Sequence, residues 1–161
     1  MSRCIKLKVI KPGFAAMSGI ETISIPEGVT EIIGNAFEHC LNLKTIRLPS
    51  TLRVGVNDFY EGAIGSYAFN YCVNVTDIYC AAVQAPSARS MNDAGTGSVY
   101  KGAFGDSSAN YVGRNTYSAK TNKLHVPVGA TGYSTTSGIT SDWKNTLCST
   151  SKCGFTLVYD L

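Results

Sequence analysis

One feature limits what this chain can fold into more than any other: it repeats. Phe14, Met17 and Ile20 return as Phe37, Cys40 and Leu43, each 23 positions later. A fixed period of this length means a supersecondary unit that cannot bury its apolar face alone and must stack on its neighbours. The clearest unit, IETISIPEGVTEIIGNAFEHCLN, runs from Ile20 to Asn42. The next opens LKTIRLPSTL at Leu43 and closes IGSYAFNYCVN at Asn74. Pro26 and Phe37 lie 11 positions apart whereas Pro49 and Phe69 lie 20 apart, so nine extra residues fall near 53–62. A third unit begins VTDIYCAA at Val75 and crosses a long polar segment before GAF at Gly102 to Phe104. A fourth strand, KLHVP, follows at Lys123 to Pro127.

Aligned, the four openings read Ile23-Ser24-Ile25-Pro26, Ile46-Arg47-Leu48-Pro49, Ile78-Tyr79-Cys80-Ala81 and Leu124-His125-Val126-Pro127. Apolar, variable, apolar is the period of a strand with one buried face, and the proline that usually follows ends pairing because it has no N–H. In register, such strands make a parallel sheet along one face. The second half of each unit carries Ala-Phe. Phe14, Phe37, Phe69 and Phe104 are expected to stack in the core, each burial contributing roughly 1.5–3 kcal/mol. Cys40 and Cys72 stand at an apolar position of the repeat and are expected to be small buried hydrophobes. The segments AFEHC and AFNYC suit short helical turns, being too brief for full helices. The expected fold is therefore an α/β repeat, dominated by β structure, with about four strands and a C-terminal cap. It forms one domain over 1–161: a partial first unit (5–19), a repeat (20–42), a repeat with an insertion near 53–62 (43–74), a repeat with a long polar insertion (75–122), and a last strand with the cap (123–161).

The segments IPEGVTEIIGNAFEHCLNLKTIRLP, IGSYAFNYCVNVTDIYC and LHVPVGATGYSTTSGITSDWKN resemble the BspA-type leucine-rich repeats of bacterial surface proteins. The resemblance covers residues 10–145 and is carried by the IP, AF and Cys positions. The chain departs from it in its two insertions, in Ala81 where Pro is expected and in Ser107 where Cys is expected. The resemblance implies a right-handed leucine-rich-repeat solenoid belonging to a longer secreted or surface-anchored protein, working in adhesion, matrix-protein binding or host contact. It brings no catalytic motif and no cofactor. It also implies that the tail after Pro127, ending GFTLVYDL, is a closing cap of the kind that stops end-to-end association. Ile5, Leu7 and Val9 alternate as a strand would, so the first unit is either the remainder of a longer array or an N-terminal cap.

Charge narrows the partners. A net charge of +3 spread over scattered Lys and Arg, without a basic stripe, argues against nucleic acid. No apolar stretch approaches the ~20 residues needed to span a bilayer. The opening MSRCIKLKVIKPG lacks the apolar block of a signal peptide, so the chain is expected at the cell surface or outside it with a leader already removed, or alternatively in the cytoplasm.

The variable strand position supplies the first candidate site. Ser24, Arg47, Tyr79 and His125, beside Thr22, Thr45 and Asp77, are expected to point outward from one sheet face, the usual contact surface of stacked repeats, and Tyr and Arg favour interface hot spots. The polar segment 82–122 supplies the second, with Tyr100, Tyr111 and Tyr117 set among Ser, Gly and Asn in the manner of adaptable binding loops. Cys148 and Cys153 enclose STSK and would bridge if the last segment were a hairpin in an oxidising compartment. A metal site is not expected, with two histidines and no CxxC pair. His39 and Cys40 are sequence neighbours that point apart in a short turn, and Asp58, Glu61, Asp77 and Asp106 share no motif, so neither nucleophilic nor acid–base catalysis has support. A non-catalytic module binding a protein or glycan is expected, against two alternatives: a structural spacer or terminal cap, and a carbohydrate-binding accessory domain of an enzyme.

Overall fold

The repeated apolar-variable-apolar segments pair side by side. In the computed structural model, which describes residues 7–54, 63–88, 91–92, 100–106, 111–116, 121–134 and 142–161, the strands in chain order are β1 (Val9–Ile10), β2 (Thr22–Ser24), β3 (Glu31–Ile32), β4 (Thr45–Leu48), β5 (Asp77–Cys80), β6 (Met91–Asn92), β7 (Tyr100–Gly102), β8 (Gly105–Asp106), β9 (Lys123–Val126) and β10 (Thr156–Tyr159). The main sheet has five strands in the order β10-β9-β5-β4-β2, and all of its pairs are parallel. Ile46, Ile78 and Leu124 are fully buried behind it, as strand alternation requires of residues in register.

The fifth strand comes from the expected cap. Thr156–Tyr159 lies parallel to β9, so the tail returns by a crossover and not as a hairpin. That crossover carries a π-helical turn, Trp143–Leu147. Cys148 and Cys153 are both free thiols on its far side, and no disulfide joins them.

A second, narrower parallel ladder runs along another side. β1 pairs with β3, and bridges continue it from Ile32 to Ile64 and from Ile64 to Ala88. It also locates the first insertion. Arg53 still keeps the register of the repeat, its N–H donating to Thr30 at 3.1 Å and its guanidinium meeting Glu31 at 3.1 Å. The nine extra residues therefore fall between Arg53 and Ile64, a stretch of which 55–62 lie outside the described residues. In the second insertion, β6, β7 and β8 form a small antiparallel sheet.

The Ala-Phe segments form no continuous helix: some N–H groups close single turns three residues back, as from Ala68 to Gly65 and from Asn70 to Tyr67 at 3.2 and 3.1 Å, and others leave the segment. The N–H groups of Asn35, Phe37 and His39 donate to the carbonyls of Ser66, Ala68 and Asn70 in the next unit, at 3.2, 2.9 and 2.9 Å. Asn35, His39, Tyr67 and Tyr71 sit at φ of 60–61°. A left-handed residue at alternate corners turns the donors outward to the neighbouring unit, where a helix would send them to its own carbonyls. The helical component of the expected fold reduces, among the described residues, to the single turn before the tail.

Inside these turns Phe37, Phe69 and Phe104 are fully buried and stack, with centroids 5.2 and 6.3 Å apart and planes within 10°. Trp143 closes the column, 4.9 Å from Phe104, its indole N–H donating to the Pro86 carbonyl at 2.8 Å. Phe14 is not part of this core: it is 58% exposed. Ala15 holds the place expected for it, since the Ala15 N–H donates to Ala36 as the Phe37 N–H does to Ala68. Phe14 instead lays its edge on Phe37 at 5.9 Å, at the open end of the column.

Backbones approach closely where Gly34 meets Gly65. A Cβ on Gly65 would lie 2.6 Å from the Gly34 nitrogen, and one on Gly34 would lie 2.6 Å from the Ser66 carbonyl oxygen. Neither contact can relax by moving a side chain, so both positions need glycine.

Candidate functional site on the sheet face

The outward residues of β2, β4, β5 and β9 fall in line because the strands are parallel and in register. Ser24 pairs with Arg47, Arg47 with Tyr79, and Tyr79 with His125. Equivalent positions on adjacent parallel strands lie about 4.8 Å apart, close to the distance at which flat groups stack. The Arg47 guanidinium lies over the Tyr79 ring, 4.1 Å from its centroid. The Tyr79 and His125 rings stack at 4.3 Å with planes 7° apart.

The two ends of this column differ. His125 is 7% exposed, and its Nδ1 faces the Asp160 carboxylate at 2.9–3.0 Å while its Nε2 faces Asp77 Oδ1 at 3.4 Å. Asp77 in turn accepts from the Thr76 hydroxyl at 2.8 Å. His125 is thus consumed by the fold, and its expected role as an open contact residue falls away. Arg47 and Ser24, in contrast, are exposed. Among the described residues no carboxylate forms a salt bridge with Arg47: the nearby Glu21 is held by Lys44 at 3.1 Å. Ser24 is too short to cover the guanidinium face turned away from Tyr79.

Of the three loop tyrosines, only the side chain of Tyr111 is described. Tyr111 is only 9% exposed, lies against Gly105 and has the Lys152 ammonium 5.9 Å from its ring centroid. It packs the excursion onto the core and does not present it. The side chain of Tyr100 and all of Tyr117 lie outside the described residues, as do Asp58, Glu61, Ser107 and the side chain of Asp106. On the turn side, His39 stacks on Tyr71 at 4.0 Å. Beside it a shallow cavity of about 400 Å³ is lined by Met17, Ser18, Gly19, His39, Leu41 and Asn42.

Four of the described thiols are held protonated, whereas that of Cys40 is lowered to about 6, chiefly by its hydrogen bond with Cys72. Cys80 is buried behind β5 and accepts from the Tyr133 hydroxyl at 3.2 Å, and burial pushes its pKa up to about 11. The Cys72 thiol donates to the Phe37 carbonyl at 3.1 Å and is held well above the usual thiol range by its hydrogen bond to Cys40 and by burial. Burial raises Cys148 to about 11 and holds Cys153 well above the usual thiol range. Thiols kept protonated in this way are poor nucleophiles. Among the described residues no group of three or more His, Cys, Asp and Glu is placed to hold a metal ion.

Sequence reasoning missed Asp160, which lies 35 positions from His125 and outside any repeat. It also missed Asp142, a buried carboxylate that accepts from the Phe104 N–H and the Thr146 hydroxyl. The signal available for Asp142 was its place beside the chain's sole tryptophan.

Against known families, the model of the BspA-type leucine-rich repeat region matches residues 7–84, in six copies. No curated protein and no solved structure matches the chain.

Proposed function

Residues 7–84 belong to the BspA-type leucine-rich repeat family, and from that premise we propose that the chain is a non-catalytic protein-binding module, shaped as a right-handed solenoid and working in adhesion at a cell surface. Families of this type are typically surface or protein-interaction modules, which supports the reading. No described helix is long and apolar enough to cross a membrane. The observation that carries the proposal is the sheet-face column, where Arg47 is pre-positioned on Tyr79 with its hydrogen-bonding edge exposed. An arginine and a tyrosine fixed in one geometry lose little side-chain entropy on binding and are the residue types that dominate interface energetics.

The test is a screen of matrix proteins and glycans with the full chain, using Arg47→Ala combined with Tyr79→Ala as control. The expected result is a protein ligand whose affinity falls at least tenfold in the double variant, with thermal stability lowered by no more than about 1 kcal/mol. A glycan ligand lost in the same variant would favour a carbohydrate-binding accessory role. Failure to bind anything would favour a spacer or terminal cap, a reading supported by the way Trp143 and the His125–Asp160 pair close the last unit.

A further inference from the structure

Cys40 and Cys72 occupy the same place in neighbouring units. The N–H groups of Phe37 and His39 donate to the carbonyls of Ala68 and Asn70, a parallel register that sets Phe37 beside Phe69, His39 beside Tyr71 and therefore Cys40 beside Cys72. The ring stacks of Phe37 on Phe69 and of His39 on Tyr71 follow the same register. The two sulfurs are held alike. The Cys40 Sγ lies 3.0 Å from the Ala15 carbonyl oxygen, and the Cys72 Sγ lies 3.1 Å from that of Phe37, which answers to Ala15 one unit on. Equivalent positions on adjacent parallel segments are about 4.8 Å apart. That spacing falls inside the roughly 4.4–6.8 Å between Cα atoms over which a disulfide closes.

The pair is not symmetric. The contacts of Cys40 are part-buried, whereas those of Cys72 are buried. The Ser18 hydroxyl lies 3.6 Å from the Cys40 sulfur, and Ser18 is also on the wall of the cavity of about 400 Å³ beside His39. The other wall residues, Met17, Gly19, His39, Leu41 and Asn42, flank Ser18 and Cys40 in the chain. The cavity thus reaches to within one hydroxyl of the Cys40 sulfur. The hydrogen bond from Cys72 lowers the Cys40 pKa against the opposing effect of burial, and Ser18 adds to the lowering. A thiolate, and not a thiol, is the species that attacks a disulfide. Cys40 is therefore placed to attack first, from the cavity side, and Cys72 to follow from within.

We propose that Cys40 and Cys72 form a thiol–disulfide exchange site, which takes a low-molecular-weight disulfide from the cavity and closes into a reversible bridge between two neighbouring units. The Cys40 thiolate attacks one sulfur of the small disulfide, forming a mixed disulfide and expelling one small thiolate, which takes up the proton of Cys72. The Cys72 thiolate then attacks the Cys40 sulfur and expels the second small thiolate, which is protonated by solvent. The two cysteines are oxidised by two electrons, and the small disulfide is reduced to two thiols. The site is independent of what the sheet face binds.

The full chain, reduced and then exposed to oxidised glutathione near neutral pH, tests the proposal through a non-reducing chymotryptic peptide map, which parts Cys72 from Cys80 at Tyr79. The expected result is the Cys40 peptide joined to the Cys72 peptide, a link undone by dithiothreitol. Cys72→Ala has no second thiol and should stop at the glutathione adduct of Cys40. That adduct should form roughly threefold more slowly than the unaltered chain is oxidised, because the hydrogen bond that favours the thiolate is gone. Cys40→Ala should leave Cys72 unmodified. Circular dichroism checks the fold of both variants, and the map of the unaltered chain decides by itself where a variant fails to fold. Cys40 left unmodified or as an unresolved adduct in the unaltered chain, Cys40 bridged to any other cysteine, or an adduct on Cys72 in Cys40→Ala would overturn the proposal.

Discussion

Two columns of flat side chains run through this molecule, one inside the stack and one on its face. Phe37, Phe69 and Phe104 stack at 5.2 and 6.3 Å, and Arg47, Tyr79 and His125 stack at 4.1 and 4.3 Å. Both arise from one rule: a residue placed once per unit is brought beside its equivalents when the units lie in register. What differs is the surroundings. The inner column is apolar throughout, sealed by Trp143, and its members fill space that nothing else can fill. The outer column changes character along its length, from an exposed cation through a phenol to an imidazole clamped by two carboxylates. Repetition inside thus serves stability, while repetition outside supplies a rigid base on which one residue can vary.

The largest effect that would break this contrast is on the inner column. Phe69→Ala should cost about 3–5 kcal/mol in urea unfolding, because the cavity lies between two further rings and cannot collapse. A loss below 1 kcal/mol would mean that the column does not hold the stack together. Next is pH. The unfolded Cys80 thiol ionises near 9.0, and the folded one, raised by burial, ionises near 11. Its contribution is therefore fully present below pH 9 and is lost as the pH rises to 11, by an amount on the order of 3 kcal/mol. Thermal melts from pH 8 to 11 should show this decline, and Cys80→Ala should flatten part of it. Gly65→Ala should cost about 1–3 kcal/mol by forcing the Gly34 backbone away, readable as a lowered urea midpoint. The smallest effect belongs to the outer column. Tyr79→Ala should lower stability by only about 1 kcal/mol, and a loss comparable to that of Phe69→Ala would erase the distinction.

The outer column was legible in the sequence because its flanking positions are apolar and proline follows three of the four strands, which pins Ser24, Arg47, Tyr79 and His125 to one register. Their surroundings were not legible. Asp160 reaches His125 from the tail, where no repeat points to it. The inner column was legible from Phe37 onward and failed at Phe14, because the first unit is 22 residues long in its turn, from Met17 to His39, but 23 in its strand, from Thr22 to Thr45. A period read from strands places Phe14 one residue out. The helical turns went unread for a different reason: the left-handed corners fall on Asn35, His39, Tyr67 and Tyr71, and the two tyrosines do not announce a positive φ. The second ladder signalled itself only in the alternation that reaches Val9, because β1 and β3 are two residues each and Ile64 and Ala88 are single bridging positions.

The unbroken register of the main sheet bears on how much foreign chain this fold would carry. Neighbouring strands are 23 residues apart from Thr22 to Thr45 and 46 apart from Asp77 to Lys123, yet the ladder between them is the same. Loop-closure entropy rises only with the logarithm of length, and a doubling costs about 0.6 kcal/mol. A graft spliced between Val54 and Ala63 would therefore cost little in closure, provided that its own ends stay close together, so a guest peptide could be carried there.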